Sequence, residues 1–379
     1  MTRILVIGAD SFLGRNLAAH LRQRTGCEVV LLDGEVSEER LRAALSVANV
    51  VFHLAGIYRS PNPREFQLRN VGLAERITNL LRETRNAPKI VFESSSQAVL
   101  GNPYGASKLK AEMVLHAFAD STGAALSIYR LKGLFGKWCP PNLNSVTATF
   151  CHNIANDLPI SISAPNCEVE LNYVDDVMTA FLADLDSPQS SDTSTRVPAV
   201  AISLGDLAGR IQAFHEMKNT LTVPNFADPF NRALYATYLS YLPAAALHHR
   251  LKTNEDARGS LAEFLKQDHF GQVFISRTQP GVTRGNHFHH TKTEKFLVVE
   301  GEGLIQMRAI EEKTVREYRV NGRDYQVIDI PPGFTHSITN VGGNEMVTLF
   351  WASEVFDPDR PDTYYLPVCD QDRATCAVC

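Results

Sequence analysis

The chain has 379 residues, of which 44% are apolar and 21% charged, a globular composition that excludes a disordered chain and a fibrous repeat. That length exceeds one ordinary core and predicts two domains. A net charge of -5 with no basic run argues against nucleic acid or an anionic membrane surface as partner, whereas a small anionic ligand needs only a local basic pocket.

The first apolar run, ILVI at residues 4–7, is ended by Gly8 and is too short for a signal-peptide core or a membrane span, which predicts a cytoplasmic protein. The cysteines are scattered apart from the last three, as expected of free thiols in a reducing cytosol. The terminal CAVC has metal-ligand spacing but no second pair, and reads as a polar tail.

From Arg3 to Arg130 apolar runs alternate with helical patterns: RILVIG, FLGRNLAAHLRQ, EVVLLD, VVFHLAG, KIVFES and ALSIYR. Strand runs nearly continuous in Val, Ile and Leu predict a parallel sheet covered on both faces, a doubly wound α/β domain. In GADSFLG, Gly8 ends the first strand and Gly14 opens the next helix, where bare backbone lets a pyrophosphate approach the helix N-terminus. Ser11 stands at the middle position of that glycine spacing. Asp33, ending the second strand, offers a carboxylate to ribose hydroxyls and repels a 2′-phosphate, which favours NADH; Arg15 is a nearby cation acting the other way.

In NPYGASKLK, Tyr104 and Lys108 stand four apart at the start of a helix and project from one face. A phenol with a pKa of about 10 needs a neighbouring ammonium to exchange protons near neutrality, and Lys108 supplies one while reaching a nicotinamide ribose. The pair follows a hydroxyl cluster, Ser94, Ser95 and Ser96.

Together these motifs resemble, over residues 1–243, the extended short-chain dehydrogenase/reductases acting on nucleotide-activated sugars. The family's strand-ending H-L-A-[AG] corresponds to residues 53–56, and its sugar-nucleotide loop to LFGKW and LNYVDDV. The resemblance implies that Tyr104 is the proton donor, Lys108 its partner, and Ser96, or failing that Ser95, the group binding the reacting oxygen. It also implies NADPH or NADH against Gly8, Ser11, Phe12, Leu13, Gly14, Asp33, Leu54, Ala55, Gly56, Tyr104 and Lys108. Two positions depart from the family pattern: Ser11, and Gly133, where many relatives carry asparagine. A dehydratase of this fold needs an acid after the reactive hydroxyl. Gln97 and Ala98 follow Ser96, so a ketone reductase is preferred.

From Gln272 onward the pattern changes to short strands (QVFISRT, EKFLVVEG, GLIQMRAI, TVREYRV, YQVIDI, HSITNV, MVTLFWA), which predict an antiparallel barrel or sandwich. The polar stretch AAALHHRLKTNEDARGS places a first domain at 1–243, a linker at 244–251, a second domain at 252–368 and a tail at 369–379. Strand alternation points His287 and His289 to one side and His290 to the other. With Glu294 and His336 they make three imidazoles and a carboxylate, a set suited to zinc, iron, nickel or manganese.

The spacings G-x5-H-x-H-x4-E-x6-G and P-x-G-x2-H-x3-N resemble the cupin family, which implies an all-β barrel with a divalent metal, zinc for preference, on His287, His289, Glu294 and His336. The whole chain resembles the bifunctional capsular polysaccharide reductases of the UDP-N-acetyl-L-fucosamine pathway, through NPYGASKLK, LFGKWC, NSVTATFC, LNYVDDV, ATYLSYLP, GNHFHHTKTEKFLVV and FDPDRPDTYYLPV. That resemblance implies a UDP-4-keto-6-deoxy-N-acetylhexosamine as substrate and UDP-2-acetamido-2,6-dideoxy-L-talose as product. A homodimer is expected, and because a proton at carbon 3 is acidic only while carbon 4 is a ketone, the barrel is expected to epimerise carbon 3 before the reductase acts. The alternatives are a dehydratase or epimerase with a structural cupin, and a non-catalytic cofactor sensor with a sugar-binding barrel. Cofactor oxidation without sugar turnover would mark the sensor.

Overall fold

The computed structural model describes residues 1–34, 36–187, 191–192 and 197–369, so the terminal CAVC lies outside the described residues. The chain divides into two compact units, Met1–Ala213 with Pro229–Pro243, and Phe214–Asp228 with Ala244–Cys379. The sequence reading placed residues 214–228 in the first domain. They cluster with the second because Thr222 bridges Lys266 and the Val223 N–H donates to the Lys266 carbonyl at 3.0 Å. Such non-local pairing leaves no signal in a short polar segment.

In chain order the first unit contains β1 (Thr2–Ile7), α1 (Phe12–Leu21), β2 (Cys27–Leu32), α2 (Glu38–Leu45), β3 (Val50–His53), α3 (Pro63–Phe66), α4 (Gly72–Thr84), β4 (Lys89–Ser95), α5 (Pro103–Thr122) and β5 (Leu126–Leu131). Then come β6 (Gly133–Phe135), α6 (Val146–Ala155), β7 (Glu168–Tyr173), α7 (Val174–Leu185), β8 (Ser191–Asp192), β9 (Val200–Ser203), α8 (Leu204–Thr220), which runs across the division, and α9 (Pro229–Leu239). The main sheet is parallel with order β2-β1-β3-β4-β5-β8. Successive residues of β1 feed opposite cores. Ile4 and Val6 pack with residues of α1 and α7, whereas Leu5 and Ile7 pack with residues of α2, α4 and α5. This explains the near-continuous apolar strands: each residue meets a helix layer on one face or the other. Strand order reverses between β1 and β3, and the crevice at such a switch point, beyond the carboxyl ends of the strands, is where open α/β sheets bind ligands.

The second unit is built from β10 (Thr253–Asp256), β11 (Gly259–Gln267), β12 (Gly271–Thr278), β13 (Thr283–Phe288), β14 (Glu294–Glu300), β15 (Glu302–Ala309), β16 (Arg316–Asn321), β17 (Val327–Ile330), β18 (Phe334–Asn340), β19 (Met346–Ala352) and β20 (Tyr364–Tyr365). They form two sheets, β10-β11-β12-β19-β14-β17 and β16-β15-β18-β13-β20, and no strand pairing closes one onto the other among the described residues. The expected closed barrel is therefore replaced by two open sheets. Closure needs a continuous hydrogen-bond ladder, which local alternation in sequence does not encode. What alternation does encode is the shared core: Phe296, Val298, Met346 and Phe350 from one sheet with Ile305, Met307, Val320 and Ile338 from the other. No helix of the described residues is long and apolar enough to cross a membrane.

Candidate active site and candidate metal centre

The strand-to-helix turn after β1 is built for close backbone approach. Gly8 has φ of +87°, and a Cβ there would stand 2.6 Å from the Ala55 nitrogen. A Cβ on Gly14 would stand 2.0 Å from the Gly8 carbonyl oxygen. Ser11 caps α1, its hydroxyl accepting from the Gly14 N–H at 3.0 Å. The position where the family pattern has a glycine thus holds the helix start in place. Asp10 accepts from the Gly34 N–H at 3.3 Å, which ties the turn to the loop after β2 where Asp33 stands.

A cavity of about 940 Å³ opens at this turn, and its wall includes Gly8, Ser11, Phe12, Leu13, Asp33, Leu54, Ala55, Gly56, Ser95, Ser96 and Tyr104. Gly14 and Lys108 stand behind that wall. Lys108 is close to it, because a Cβ on Gly56 would be 3.6 Å from the Lys108 Nζ. Arg15, weighed as a cation near the nucleotide, instead places its guanidinium over the Trp138 ring at 5.8 Å.

Tyr104 owes its place to the start of α5. Asn102 caps the helix by accepting from the Gly105 N–H at 2.7 Å, with Pro103 in the first turn, a cap contributing about 1 kcal/mol. A Cβ on Gly105 would lie 2.0 Å from the Gln97 carbonyl oxygen, so only glycine lets α5 press against the turn following β4. This brings the phenol beside the serines at the end of β4. Ser94 is buried and donates to Glu112, whose carboxylate is gripped by Arg130 at 3.0 and 2.6 Å. Ser95, whose hydroxyl accepts from the Gln97 N–H at 3.2 Å, and Ser96 line the cavity together with the phenol. Burial lifts the Tyr104 phenol above its ordinary range, Lys108 pulls it down, Glu93 lifts it again and the nearby Ser95 hydroxyl lowers it. For Lys108 burial disfavours the charge, but Glu93 and then Tyr104 outweigh it and hold the ammonium above its ordinary range.

The loop motifs singled out in the sequence are locked to each other. Gly136, with φ of +146°, allows Val174 to approach, since a Cβ would meet its Cγ1 at 2.2 Å. Lys137 pairs with Asp175 at 2.5 Å, and the Lys132 N–H donates to Asn172 at 2.7 Å.

His53, first residue of the H-L-A-G motif, is 1% exposed with both ring nitrogens lacking a hydrogen bond, and its ring packs 5.0 Å from that of Phe92. Burial, assisted by Lys108, lowers its pKa to about 3. Between the unfolded value near 6.5 and that folded value the unfolded chain binds more protons, so this group's contribution to stability is present above the window and lost as pH falls through it. We expect the unfolding free energy to fall more between pH 7 and pH 5 in the wild type than in His53→Phe, by up to about 1.4 kcal/mol per pH unit, with the melting temperature following. Parallel melting curves against pH would refute this.

In the second unit His287, His289, Glu294 and His336 offer ligand atoms that all lie within 4.8 Å of one another. β13 and β18 set His287 directly opposite His336, and a bulge between Gly285 and His287 re-aims the end of β13. The Glu294 Oε2 lies 3.4 Å from His289 Nε2 and 3.0 Å from His336 Nε2, and all three atoms are buried without a hydrogen-bond partner. Buried polar atoms left converging in this way fit a cation among them. The outward nitrogens are held: His336 Nδ1 by the Phe334 carbonyl at 3.1 Å, His289 Nδ1 by the Asp362 carbonyl at 2.5 Å. Burial opposes the charge on Glu294, yet His289 and His336 hold its carboxyl well below the usual range. His290 faces away, its ring against Tyr364 at 4.8 Å.

Residues 4–198 match the model of the NAD dependent epimerase/dehydratase family, and residues 254–364 that of the polysaccharide biosynthesis C-terminal domain. The chain belongs to the NAD dependent epimerase/dehydratase family. It is 41% identical, over 96% of its length and 98% of the relative's, to UDP-2-acetamido-2,6-beta-L-arabino-hexul-4-ose reductase of Pseudomonas aeruginosa. The crystal structure of the capsular polysaccharide assembling protein CapF from Staphylococcus aureus matches with a TM-score of 0.89 and 41% identity, covering 96% of this chain and 99% of that one. The spore coat polysaccharide biosynthesis protein SpsL of Bacillus subtilis is 26% identical over 32% of this chain and 87% of its own.

Three features escaped the sequence reading. Glu93 on β4 and Arg76 on α4 both reach the cavity wall, Arg76 while donating to the Val36 carbonyl at 3.2 Å. Asp362 accepts from the N–H groups of His290, Thr291 and Lys292, at 2.9, 2.9 and 3.0 Å, and so organises the loop bearing His289. Isolated charges of this kind read as solvated in sequence; only the fold shows what they face.

Proposed function

We propose that this family member is an NAD(P)H-dependent reductase of a UDP-4-keto-6-deoxy-N-acetylhexosamine, and that its second unit epimerises carbon 3 before reduction. The observation that carries the reductase reading is that Tyr104, the serines Ser95 and Ser96 and the bare turn at Gly8 share one cavity. The substrate class follows the likeness to the Pseudomonas aeruginosa reductase. NADH or NADPH, when bound, supplies the hydride. The chain's own residues do the rest. Gly8 and the N-terminus of α1 would receive the cofactor's pyrophosphate, and Asp33 would serve its adenosine ribose. Lys108 keeps positive charge beside the phenol, Ser95 and Ser96 orient the carbonyl oxygen, and Tyr104 Oη gives that oxygen its proton.

For the second unit, a divalent cation held by His287, His289, Glu294 and His336 would supply concentrated positive charge against a developing oxyanion. Carbon 3 is acidic only while carbon 4 is a ketone, so epimerisation precedes reduction. The expected product is UDP-2-acetamido-2,6-dideoxy-L-talose, made by a cytoplasmic homodimer of the UDP-N-acetyl-L-fucosamine pathway.

Incubation with the keto sugar and NADH or NADPH, followed by NMR of the ring-proton couplings, should give a 4-hydroxyl product inverted at carbon 3. Cofactor oxidation without a sugar product would sink the reductase reading. In deuterated water without nicotinamide cofactor, deuterium should enter at carbon 3. Exchange that requires the cofactor would reverse the proposed order.

A further inference from the structure

Behind the phenol of Tyr104, the buried Lys108 ammonium donates at 2.8 Å to the backbone carbonyl of Glu93 and at 2.8 Å to its Oε2. The Lys108 side chain is 4% exposed, and that of Glu93 18% and turned into the cavity wall. A lysine so deeply buried does not keep its charge without a partner. The other carboxylate near it, Glu112 one turn along α5, is held by Arg130 and by Ser94. Glu93 is therefore the carboxylate in contact with Lys108. Its placement is specific, since β4 delivers it immediately before the serine cluster, and nothing assigned to the reaction above uses it.

We propose that Glu93 is a positioning residue that acts through Lys108: its carboxylate balances the ammonium so that Tyr104 remains a phenol, the form able to give a proton to a ketone. The inference rests on the reductase reading for its meaning, though not for its physics. The groups facing the pair are Glu93 and Ser95 from β4, neutral His53 from β3, Glu112 on α5 itself with its partner Arg130 from β5, and the Phe66 ring from α3. Arg69, from the turn Gln67–Val71, lines the same cavity. With Glu93 ionised, the cluster of phenol, ammonium and carboxylate is neutral before the phenol ionises. Without that charge the cluster is cationic, and the Tyr104–Lys108 pair gives up its first proton at lower pH whichever residue loses it. A reductase lacking Glu93 would pass into the phenolate form, which accepts rather than gives the proton, nearer to neutrality.

The test uses the full chain and three variants. Glu93→Gln keeps an acceptor for Lys108 and removes the charge, Glu93→Met removes both, and Glu93→Asp keeps the charge. In the cofactor-free protein, tyrosine labelled with carbon-13 at Cζ should report Tyr104, assigned with Tyr104→Phe, titrating about one pH unit lower in the Gln and Met variants than in wild type or Asp. The alkaline limb of kcat/KM for ketone reduction should move the same way by the same amount. An unmoved titration in Glu93→Gln and Glu93→Met overturns the proposal, and so does an equal displacement in Glu93→Asp, which would trace the effect to packing. If wild type turns over no keto sugar, the reductase reading fails, but the titration still decides whether Glu93 tunes the pair.

Discussion

Replacing Tyr104 with phenylalanine should lower kcat for ketone reduction by about 10² to 10⁴-fold while leaving nicotinamide affinity nearly unchanged. The ring stays at the start of α5, against Phe66 at 5.9 Å, so the helix cap and the packing on the Gln97 turn are retained. What disappears is the hydroxyl of a residue that lines the cavity beside Ser95 and Ser96. Hydride addition would then leave an alkoxide with no positioned acid, and water would have to protonate it. The measurement is single-turnover oxidation of NADH or NADPH with the keto sugar, beside cofactor binding by fluorescence. A rate within a few-fold of wild type would remove Tyr104 from the chemistry, and a large loss of cofactor affinity would make its role structural.

The second large effect concerns His336. His336→Ala should abolish stoichiometric divalent metal and also the response of the melting temperature to a chelator, whereas His290→Ala should keep both. His336 is 0% exposed, its Nδ1 is fixed by the Phe334 carbonyl, and its Nε2 points at Glu294. Removing it takes away one of four donors and leaves the Glu294 carboxylate buried with less compensation. A metal present at 100 times its Kd would stabilise the fold by about 2.7 kcal/mol, so the chelator response should be large in wild type. Measuring the response to chelator, rather than the melting temperature by itself, separates metal loss from the cavity left by any truncated histidine. Elemental analysis settles the outcome: metal retained in His336→Ala, or lost in His290→Ala, would contradict the proposed ligand set.

Much of the first unit was legible because its information is local. The parallel sheet follows from uninterrupted Val, Ile and Leu runs, and the cradle from Gly8 and Gly14. Gly8 has a positive φ, and a Cβ at either position would collide with backbone. Tyr104 and Lys108 share a helix face by spacing. The gathering of His287, His289, Glu294 and His336 was foreshadowed by the spacing of two motifs, whose residues come from β13, β14 and β18 with His289 one residue past the end of β13. Even Ser11, a departure from the family pattern, has a local cause as the cap of α1.

Tertiary structure decided what depends on distant partners. Whether the second unit closes into a barrel depends on backbone ladders between strands far apart in sequence, and alternation specifies only which face is buried. Arg15 reads as a nucleotide cation until its guanidinium is found over Trp138. Asp362 looks like one more charge in a Pro-rich turn until three N–H groups of the His289 loop converge on it. Glu93 is the sharpest case. A glutamate within a strand reads as a solvent-facing charge, and its meaning here comes from a 2.8 Å contact with an ammonium borne on another element. A charge acts according to its neighbours and its dielectric surroundings, and both are set when remote segments pack together.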